Sequence, residues 1–170
     1  MVTIMVLALA VTAQNSTAER HVRTSEPRIL ALIDAGISRS QTFRHLVDVL
    51  NASDVIVYVE PKQTRQALGG YLAHNITVAG AFRYVHIAIQ TRGADGRLIP
   101  LLAHELQHAV EVAQAPDARD SKSLDQLLER LAVTFGCDGT SCSETQAAKD
   151  VEHEVSDDLK RVTSSAAPAN

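Results

Sequence analysis

The stretch from Leu101 to Glu111 restricts the fold more than any other part of the chain. It reads Leu-Leu-Ala-His-Glu-Leu-Gln-His-Ala-Val-Glu. On an α-helix, a spacing of four residues places His104 and His108 one turn apart and within about 40° of each other. Apolar residues recur on the opposite side of this helix: Ile99, Leu102, Leu106, Ala109, Val110 and Ala113. Imidazoles on one side and an apolar stripe on the other predict a helix between the core and a cleft.

The same stretch has the spacing of a metal-binding motif. His-Glu-x-x-His on a helix presents two imidazoles to one zinc ion, and its glutamate acts as a general base. Glu105 is rotated from His104 by about 100°, so it can reach a water molecule on the metal without joining the histidines as a ligand. We therefore predict His104 and His108 as zinc ligands and Glu105 as the general base. The alternative interpretation is a pair of histidines on an ordinary helix surface.

Length and composition favour a single domain, in residues 14–162. The chain has 170 residues, 45% of them hydrophobic, which is enough for a sizeable core. The net charge of −4 and the aromatic content of 4% argue against nucleic acid as a partner. We expect an α+β fold in which a short antiparallel or mixed β-sheet packs on the central helix, with further helices at its flanks.

The two ends of the chain are expected to lie outside the domain. Residues 1–13 are predicted to be a signal peptide, because Val2 to Ala13 is uncharged, largely apolar and too short to span a bilayer. Small residues precede a possible cleavage site after Ala13, which predicts an exported protein without a membrane span. No Lys or Arg precedes the run, so a buried strand or helix is the alternative. Residues 163–170 are predicted to be a disordered tail.

The two cysteines are consistent with export. Cys137 and Cys142 enclose a short loop, which can close readily as a disulfide in an oxidising compartment. Free thiols are the alternative. A short loop gains little entropy from closure, so a disulfide here would act as a local clamp.

Hydrophobic periodicity predicts the elements before the central helix. We expect a helix from Arg28 to Ala35 that Gly36 ends, and a second helix capped by Ser38 or Ser40. Three strands are expected after them, with a hairpin near Gly80 between the last two: Asp54–Glu60, Tyr71–Ala79 and Phe82–Gln90.

The third of these strands directly precedes the central helix. It could lie along the cleft and pair with an extended peptide. Tyr84 and His86 alternate with the apolar Val85 and Ile87, and they are expected to make cross-strand contacts.

Two helices are expected after Pro116. Ser123 and Gln126 are predicted to form a capping box at the start of the first. Its apolar stripe consists of Leu124, Leu127, Leu128, Leu131 and Phe135, and Gly136 ends it. The last helix is expected to run from about Ser143 to Val162.

A catalytic zinc site needs three protein ligands and an open position. On the last predicted helix, Glu144 shares one stripe with Ala148 and Val155, which places it in the first turn of the inward face. Because an unpaired carboxylate would be costly there, we predict Glu144 as the third ligand. The alternatives are a first-turn glutamate favoured by the helix dipole, and Glu111 as third ligand or as a partner that orients a zinc histidine. Off the stripe lie three residues that we expect to be solvated: Glu152, His153 and Glu154.

With His104, Glu105 and His108 followed by Glu144, the chain resembles the gluzincins, zinc peptidases that combine His-Glu-x-x-His with a glutamate from a later helix. It looks most like small exported bacterial proteins of this zincin type. In these, the central helix reads His-Glu-Leu-Gln-His-Ala and the later one Glu-Thr-x-Ala-Ala. Many gluzincins place an aspartate four residues after the ligand glutamate to orient a zinc histidine. This chain has Ala148 there.

The resemblance implies zinc-dependent hydrolysis of a peptide or protein substrate, with one zinc ion per chain. Glu105 would take a proton from the water activated by zinc and pass it to the leaving amine. Tyr71, Tyr84 and His153 are candidate donors to the oxyanion. The competing interpretation is a non-catalytic zincin-like domain that binds a metal or a partner. A site closed by both Glu111 and Glu144 would favour that alternative. A third is a helical protein with a coincidental motif.

Overall fold

The computed structural model describes residues 20–62, 69–134 and 144–165. Within these ranges the chain forms five helices and a mixed β-sheet, which confirms the α+β class. The elements in chain order are β1 Val22–Arg23, α1 Pro27–Arg39, α2 Gln41–Asn51, β2 Val55–Pro61, β3 Gly70–Leu72, β4 Thr77–Ala79, β5 Phe82–Ile89, α3 Asp95–Gln114, α4 Ser121–Leu131, β6 Ala132–Thr134, β7 Glu144–Thr145 and α5 Gln146–Ser165.

The sheet is built around β5. β2 runs parallel to β5, with Val57 opposite Val85 and Val59 opposite Ile87. β1 extends the sheet beyond β2, also in parallel. β3 and β4 pair with the other side of β5 in the antiparallel sense, so the order is β1-β2-β5-β3, with β4 beside β5. β5 is therefore an interior strand and β3 is an edge strand.

Alternation along β2 and β5 separates two faces of the sheet. One face is apolar except for Arg83 at the start of β5, and it packs against α1, α2 and α3 in the main core. The other face carries Tyr58, Tyr84 and His86. The ring of Tyr58 stacks on those of Tyr84 and His86, with centroid separations of 6.3 Å and 5.5 Å. This confirms the expected cross-strand contacts of Tyr84 and His86.

The central helix α3 lies between two layers. Its apolar residues Ile99, Leu102 and Leu106 are completely buried in the core, on the side of the sheet and α2. α5 packs along another side of α3. Other elements therefore cover α3 on more than one side, whereas the sequence predicted a helix with the core on one side and a cleft on the other.

Arg83 on β5 attaches the end of α3 to the sheet. Its side chain is completely buried and donates hydrogen bonds to the carbonyl groups of Val112, Ala115 and Ala118 at 2.7–3.0 Å. Two further nitrogens donate to the two carboxylate oxygens of Asp54. The hydrogen bond from Arg83 lowers the pKa of Asp54, against the opposing effect of burial. A buried cation thus donates to carbonyl groups at and just beyond the end of the helix, in addition to the backbone N–H groups that bond Val112 and Ala115.

Two predicted boundaries before α3 need correction. Gly36 does not end α1, which continues to Arg39. A Cβ atom at Gly36 would lie 2.8 Å from the ring of Phe43, so the glycine allows α1 and α2 to approach closely. Ser40, one of the two predicted caps, accepts a hydrogen bond from the backbone N–H of Phe43. The predicted strand Tyr71–Ala79 is divided into β3 and β4, and the hairpin turn at Gly80 is confirmed.

The elements after α3 also differ in detail. α4 begins at Ser121 with Asp120 as its N-cap, and Ser123 is the third helical residue of the capping box. The helix ends at Leu131 because the chain continues as β6, which pairs with β7. Phe135, Gly136, Cys137 and Cys142 lie outside the described residues, as do residues 1–13, so the predicted disulfide and signal peptide stay predictions. No helix in the described part of the chain combines the length and apolar character needed to cross a membrane.

Candidate metal centre

The predicted site residues of α3 are buried. His104, Glu105, His108 and Glu111 are 5–7% exposed. They lie next to α5 and β7, which supply the polar side chains that contact them. Burial of four titratable side chains in one stretch of helix requires polar partners nearby, because desolvation of an unpaired charge is costly.

His104 lies between two carboxylates. Its Nδ1 atom donates a hydrogen bond to Oε2 of Glu152 at 3.0 Å, and its Nε2 atom lies 3.3 Å from Oε2 of Glu144. Glu152 was expected to be solvated; its side chain is 44% exposed, but it also contacts His104, which was not expected. Glu152 is one helical turn after the buried Ala148, and the two residues lie within about 40° of each other around α5. Both therefore lie on the side of α5 that faces α3.

The two carboxylates next to His104 favour a positive charge on or beside its ring. An ionised carboxylate only accepts hydrogen bonds, so a neutral ring that donates from Nδ1 presents a lone pair from Nε2 to Glu144. Either a proton or a metal cation at Nε2 removes this repulsion. Burial lowers the pKa of His104, but the hydrogen bond to Glu152 and the charges of Glu105 and Glu144 outweigh it and raise the pKa overall. The hydrogen bond with His104 in turn lowers the pKa of Glu152.

His108 is held by a separate set of residues. Its Nδ1 atom donates to Oε2 of Glu111 at 2.9 Å, and the hydroxyl of Thr145 donates to Oε1 of Glu111 at 2.6 Å. Thr145 also accepts a hydrogen bond from the backbone N–H of Ala148, which caps the start of α5. Both oxygens of Glu111 are engaged in these contacts, and Nε2 of His108 is left for a ligand. Of the two predicted roles of Glu111, the geometry agrees with the orienting one.

Glu144 lies next to His104 for a different reason than the sequence suggested. It belongs to the two-residue strand β7, whereas the prediction placed it in the first helical turn. Because Thr145 caps the helix, α5 begins at Gln146 and the preceding residue is extended. Pairing of β7 with β6 then directs the chain past α3. The carboxylate of Glu144 is 31% exposed, the most accessible of the three predicted ligands.

Glu105 lies on the side of the site that faces the sheet. Burial raises its pKa to about 7, although the neighbouring His108 and His104 act in the opposite direction. The edge strand β3 passes directly beside it, since a Cβ atom at Gly70 would lie 2.9 Å from Oε1 of Glu105. A side chain at this position would require the carboxylate of Glu105 to shift.

Histidine and glutamate side chains are among the ligands that zinc uses in proteins. The distance between one pair of the predicted ligands also fits a zinc site. A tetrahedral zinc with bonds of about 2.1 Å holds two ligand atoms about 3.4 Å apart, close to the 3.3 Å between His104 and Glu144. Among the described residues, however, no three His, Cys, Asp or Glu side chains are close enough to form a complete metal-binding group. Zinc binding by His104, His108 and Glu144 therefore stays a prediction.

The three candidate oxyanion donors occupy different places. Tyr84 stacks on Tyr58, on the sheet face turned away from α3. Tyr71 follows Gly70, so its side chain points to the opposite face from the one that meets Glu105, and Lys62 lies over its ring. His153, beside Glu152 on α5, lines a cavity next to the site.

Two residues that contact the site were missed by the sequence analysis. Thr145 gave no signal beyond its place next to Glu144, because its contact with Glu111 depends on how β7 packs on α3. Glu152 carried a usable signal, since its spacing of four residues from the buried Ala148 shows that it shares the inward side of α5.

Comparisons of the chain with protein-family models, with curated proteins and with solved structures gave no match in any of the three.

Proposed function

We propose that this chain is a zinc-dependent peptide hydrolase with a small zincin-like domain of gluzincin type. His104, His108 and Glu144 would hold one zinc ion per chain. One observation carries the proposal: Nε2 of His104 and Oε2 of Glu144 face each other at 3.3 Å while Glu152 occupies Nδ1 of the same ring. Two electron-rich atoms at this distance favour a cation between them.

Glu105 would act as the general base. Bound zinc would supply positive charge that lowers the pKa of a nearby water molecule and polarises the peptide carbonyl group. Glu105 would take a proton from that water and deliver it to the nitrogen of the departing amine. Its buried carboxylate and raised pKa suit a group that accepts and then releases a proton near neutral pH.

The edge strand β3 would bind the substrate. The sequence suggested Phe82–Gln90 for this role, but both sides of β5 are already paired, so an added peptide strand has no place there. Among the described residues, β3 pairs only with β5, and its Gly70 lies against Glu105. A peptide added to the outer edge of β3 would run past the general base.

The alternative is a non-catalytic domain whose metal or partner site is closed. Such a site would need both Glu111 and Glu144 as ligands, leaving no position for water. Both oxygens of Glu111 are instead hydrogen-bonded to His108 and Thr145. This arrangement leaves three ligands and supports an open position, which favours hydrolysis.

Elemental analysis and a peptide-cleavage assay on the full chain test the proposal. We expect one zinc per chain, and we expect weaker zinc binding and little cleavage after Glu144→Ala. Glu154→Ala is the matched control, because Glu154 is an exposed glutamate of α5 and should change neither result. Absence of zinc from the parent chain after reconstitution would contradict the proposal. Zinc without cleavage of any peptide would favour the non-catalytic alternative.

A further inference from the structure

A cavity of about 480 Å³ adjoins the candidate metal centre. Its walls come from the first turns of α3, from Gly69 and Gln90 beside β3 and β5, and from one side of α5. Glu152 belongs both to this cavity and to the site, because it lines the cavity and its carboxylate accepts the hydrogen bond from His104. The cavity and the site therefore adjoin at this residue.

We propose that this cavity binds a carboxylate group of the peptide substrate, on the side C-terminal to the scissile bond. The proposal rests on the hydrolytic function above and adds to it a class of substrate: peptides that carry a free C-terminus or an acidic side chain shortly after the cleaved bond.

The charges of the cavity support this assignment. Arg97 is exposed in its wall, and its guanidinium group makes no ion pair with a carboxylate of the described residues. Lys160, which pairs with Asp157, adds positive charge to the same wall. Glu152 is the single carboxylate among the described lining residues, and it is engaged by His104. A chain of net charge −4 thus presents a surplus of positive charge beside its candidate site.

Arginine is well suited to this role. The planar guanidinium group offers two parallel N–H donors that match the two oxygens of a carboxylate. Because Arg97 is exposed, water and salt weaken the attraction, and we expect its contribution to substrate binding to be about tenfold rather than larger.

The direction of β3 decides which end of the substrate enters the cavity. β3 runs from Gly70 to Leu72, and Gly69 just before it lines the cavity. A peptide that adds to β3 in the antiparallel sense, the slightly more stable pairing, runs the opposite way. Its C-terminal part then passes Gly70 and Glu105 and continues toward Gly69. The residues after the scissile bond are therefore the ones that reach Arg97.

Binding of three labelled peptides to the zinc-loaded full chain with Glu105→Gln tests the proposal without interference from turnover. The peptides share one sequence of neutral residues and differ only at the C-terminal end: a free carboxylate, a carboxamide, or a carboxamide preceded by aspartate. Fluorescence anisotropy gives the Kd of each. We expect a carboxylate-bearing peptide to bind about tenfold more tightly than the neutral carboxamide, and Arg97→Gln to remove this difference.

Arg92→Gln is the matched control, because Arg92 is an exposed arginine just before α3 and does not line the cavity. Tighter binding of the free-carboxylate peptide alone identifies a C-terminal carboxylate as the ligand, and tighter binding of the aspartate peptide identifies an acidic side chain. Equal binding of all three peptides, or a preference that survives Arg97→Gln, overturns the assignment. If the parent chain still cleaves the neutral peptide, hydrolysis stands and only the carboxylate site fails. A chain that binds none of the peptides and cleaves none overturns both proposals.

Discussion

The carboxylate of Glu152 lies 3.0 Å from Nδ1 of His104 and thereby connects α5 to the first histidine of the central helix. A corresponding contact connects Glu111 with His108 at 2.9 Å. Each histidine thus has its own carboxylate partner, one from α5 and one from α3 itself. Such contacts fix the orientation and the tautomer of an imidazole ring before it meets a metal.

Glu152→Gln is expected to weaken zinc binding by about 10–100-fold, because the amide is a poorer acceptor and no longer fixes the ring of His104. Competition with a chelator measures the affinity of the full chain for zinc. Glu154→Gln on the same helix should leave the affinity unchanged, since Glu154 is exposed. Equal zinc affinity in the Glu152 variant and the parent would show that the contact does not orient a ligand.

Thr145→Val is expected to affect both the fold and the site. The hydroxyl of Thr145 caps α5 and donates to the buried Glu111, so its loss should cost about 1–3 kcal/mol of unfolding free energy. Release of Glu111 should also reduce zinc affinity by about tenfold. Thr145→Ser retains the hydroxyl and should restore the zinc affinity. Failure of serine to restore it would assign the effect of valine to packing alone.

Glu105→Gln is expected to retain zinc while the rate of peptide cleavage falls by about 10²–10⁴-fold, because glutamine cannot accept the proton from water. Zinc content and kcat, measured on the same preparation, separate the two effects. Glu60→Gln changes an exposed glutamate and controls for the loss of one negative charge. A Glu105→Gln chain that retains full activity would exclude Glu105 as the general base.

Arg83→Leu is expected to reduce the free energy of unfolding by about 1–3 kcal/mol, because buried carbonyl groups lose a charged hydrogen-bond donor. The carbonyl groups of Val112, Ala115 and Ala118 lose the hydrogen bonds from the guanidinium group in this variant. Urea denaturation monitored by circular dichroism measures the change. Arg92→Leu, at an exposed position, should change stability by no more than about 0.5 kcal/mol. A similarly small effect of Arg83→Leu would mean that the end of α3 does not depend on this side chain.

Asp158 should make stability depend on pH in the acidic range. Burial acts to raise its pKa, but hydrogen bonds from Ser40, Arg161 and Thr42 outweigh this effect and lower the pKa to about 2. The folded chain therefore holds the proton less tightly than the unfolded chain, whose Asp has a pKa near its usual value. The resulting stabilisation is complete above that usual value and is lost as the pH falls from about 4 to about 2.

Urea unfolding at pH 6 and at pH 3 measures this dependence. The parent chain should lose about 1 kcal/mol more than Asp158→Asn between the two conditions. Asp117→Asn, at an exposed position, should behave like the parent. A parent chain and an Asp158→Asn variant with the same pH dependence would show that Asp158 does not supply the acid-sensitive stability.

Periodicity within one element was sufficient for much of the fold. The apolar positions of β5 and most of those of α3 were predicted correctly, because the repeats of helix and strand fix which residues of one element share a side. The histidines of α3 could be assigned to one side of a helix for the same reason. Periodicity failed on α5, because the positions around the helix were counted from Glu144, which is extended and lies before the helix. The position of Glu152 on the inward side was missed for this reason.

What only the tertiary structure decided is which elements meet. The sequence by itself determined the main helices and strands and the side of α3 on which His104 and His108 lie. The packing of α5 and β7 on α3 decided that Glu152 and Glu144 contact His104 and that Thr145 contacts Glu111. The order of the sheet decided that β3 rather than β5 has an edge that no other strand of residues 20–62, 69–134 and 144–165 pairs with. Local spacing sets angles within an element, whereas these contacts join residues far apart in the chain, and their positions follow from how the core packs.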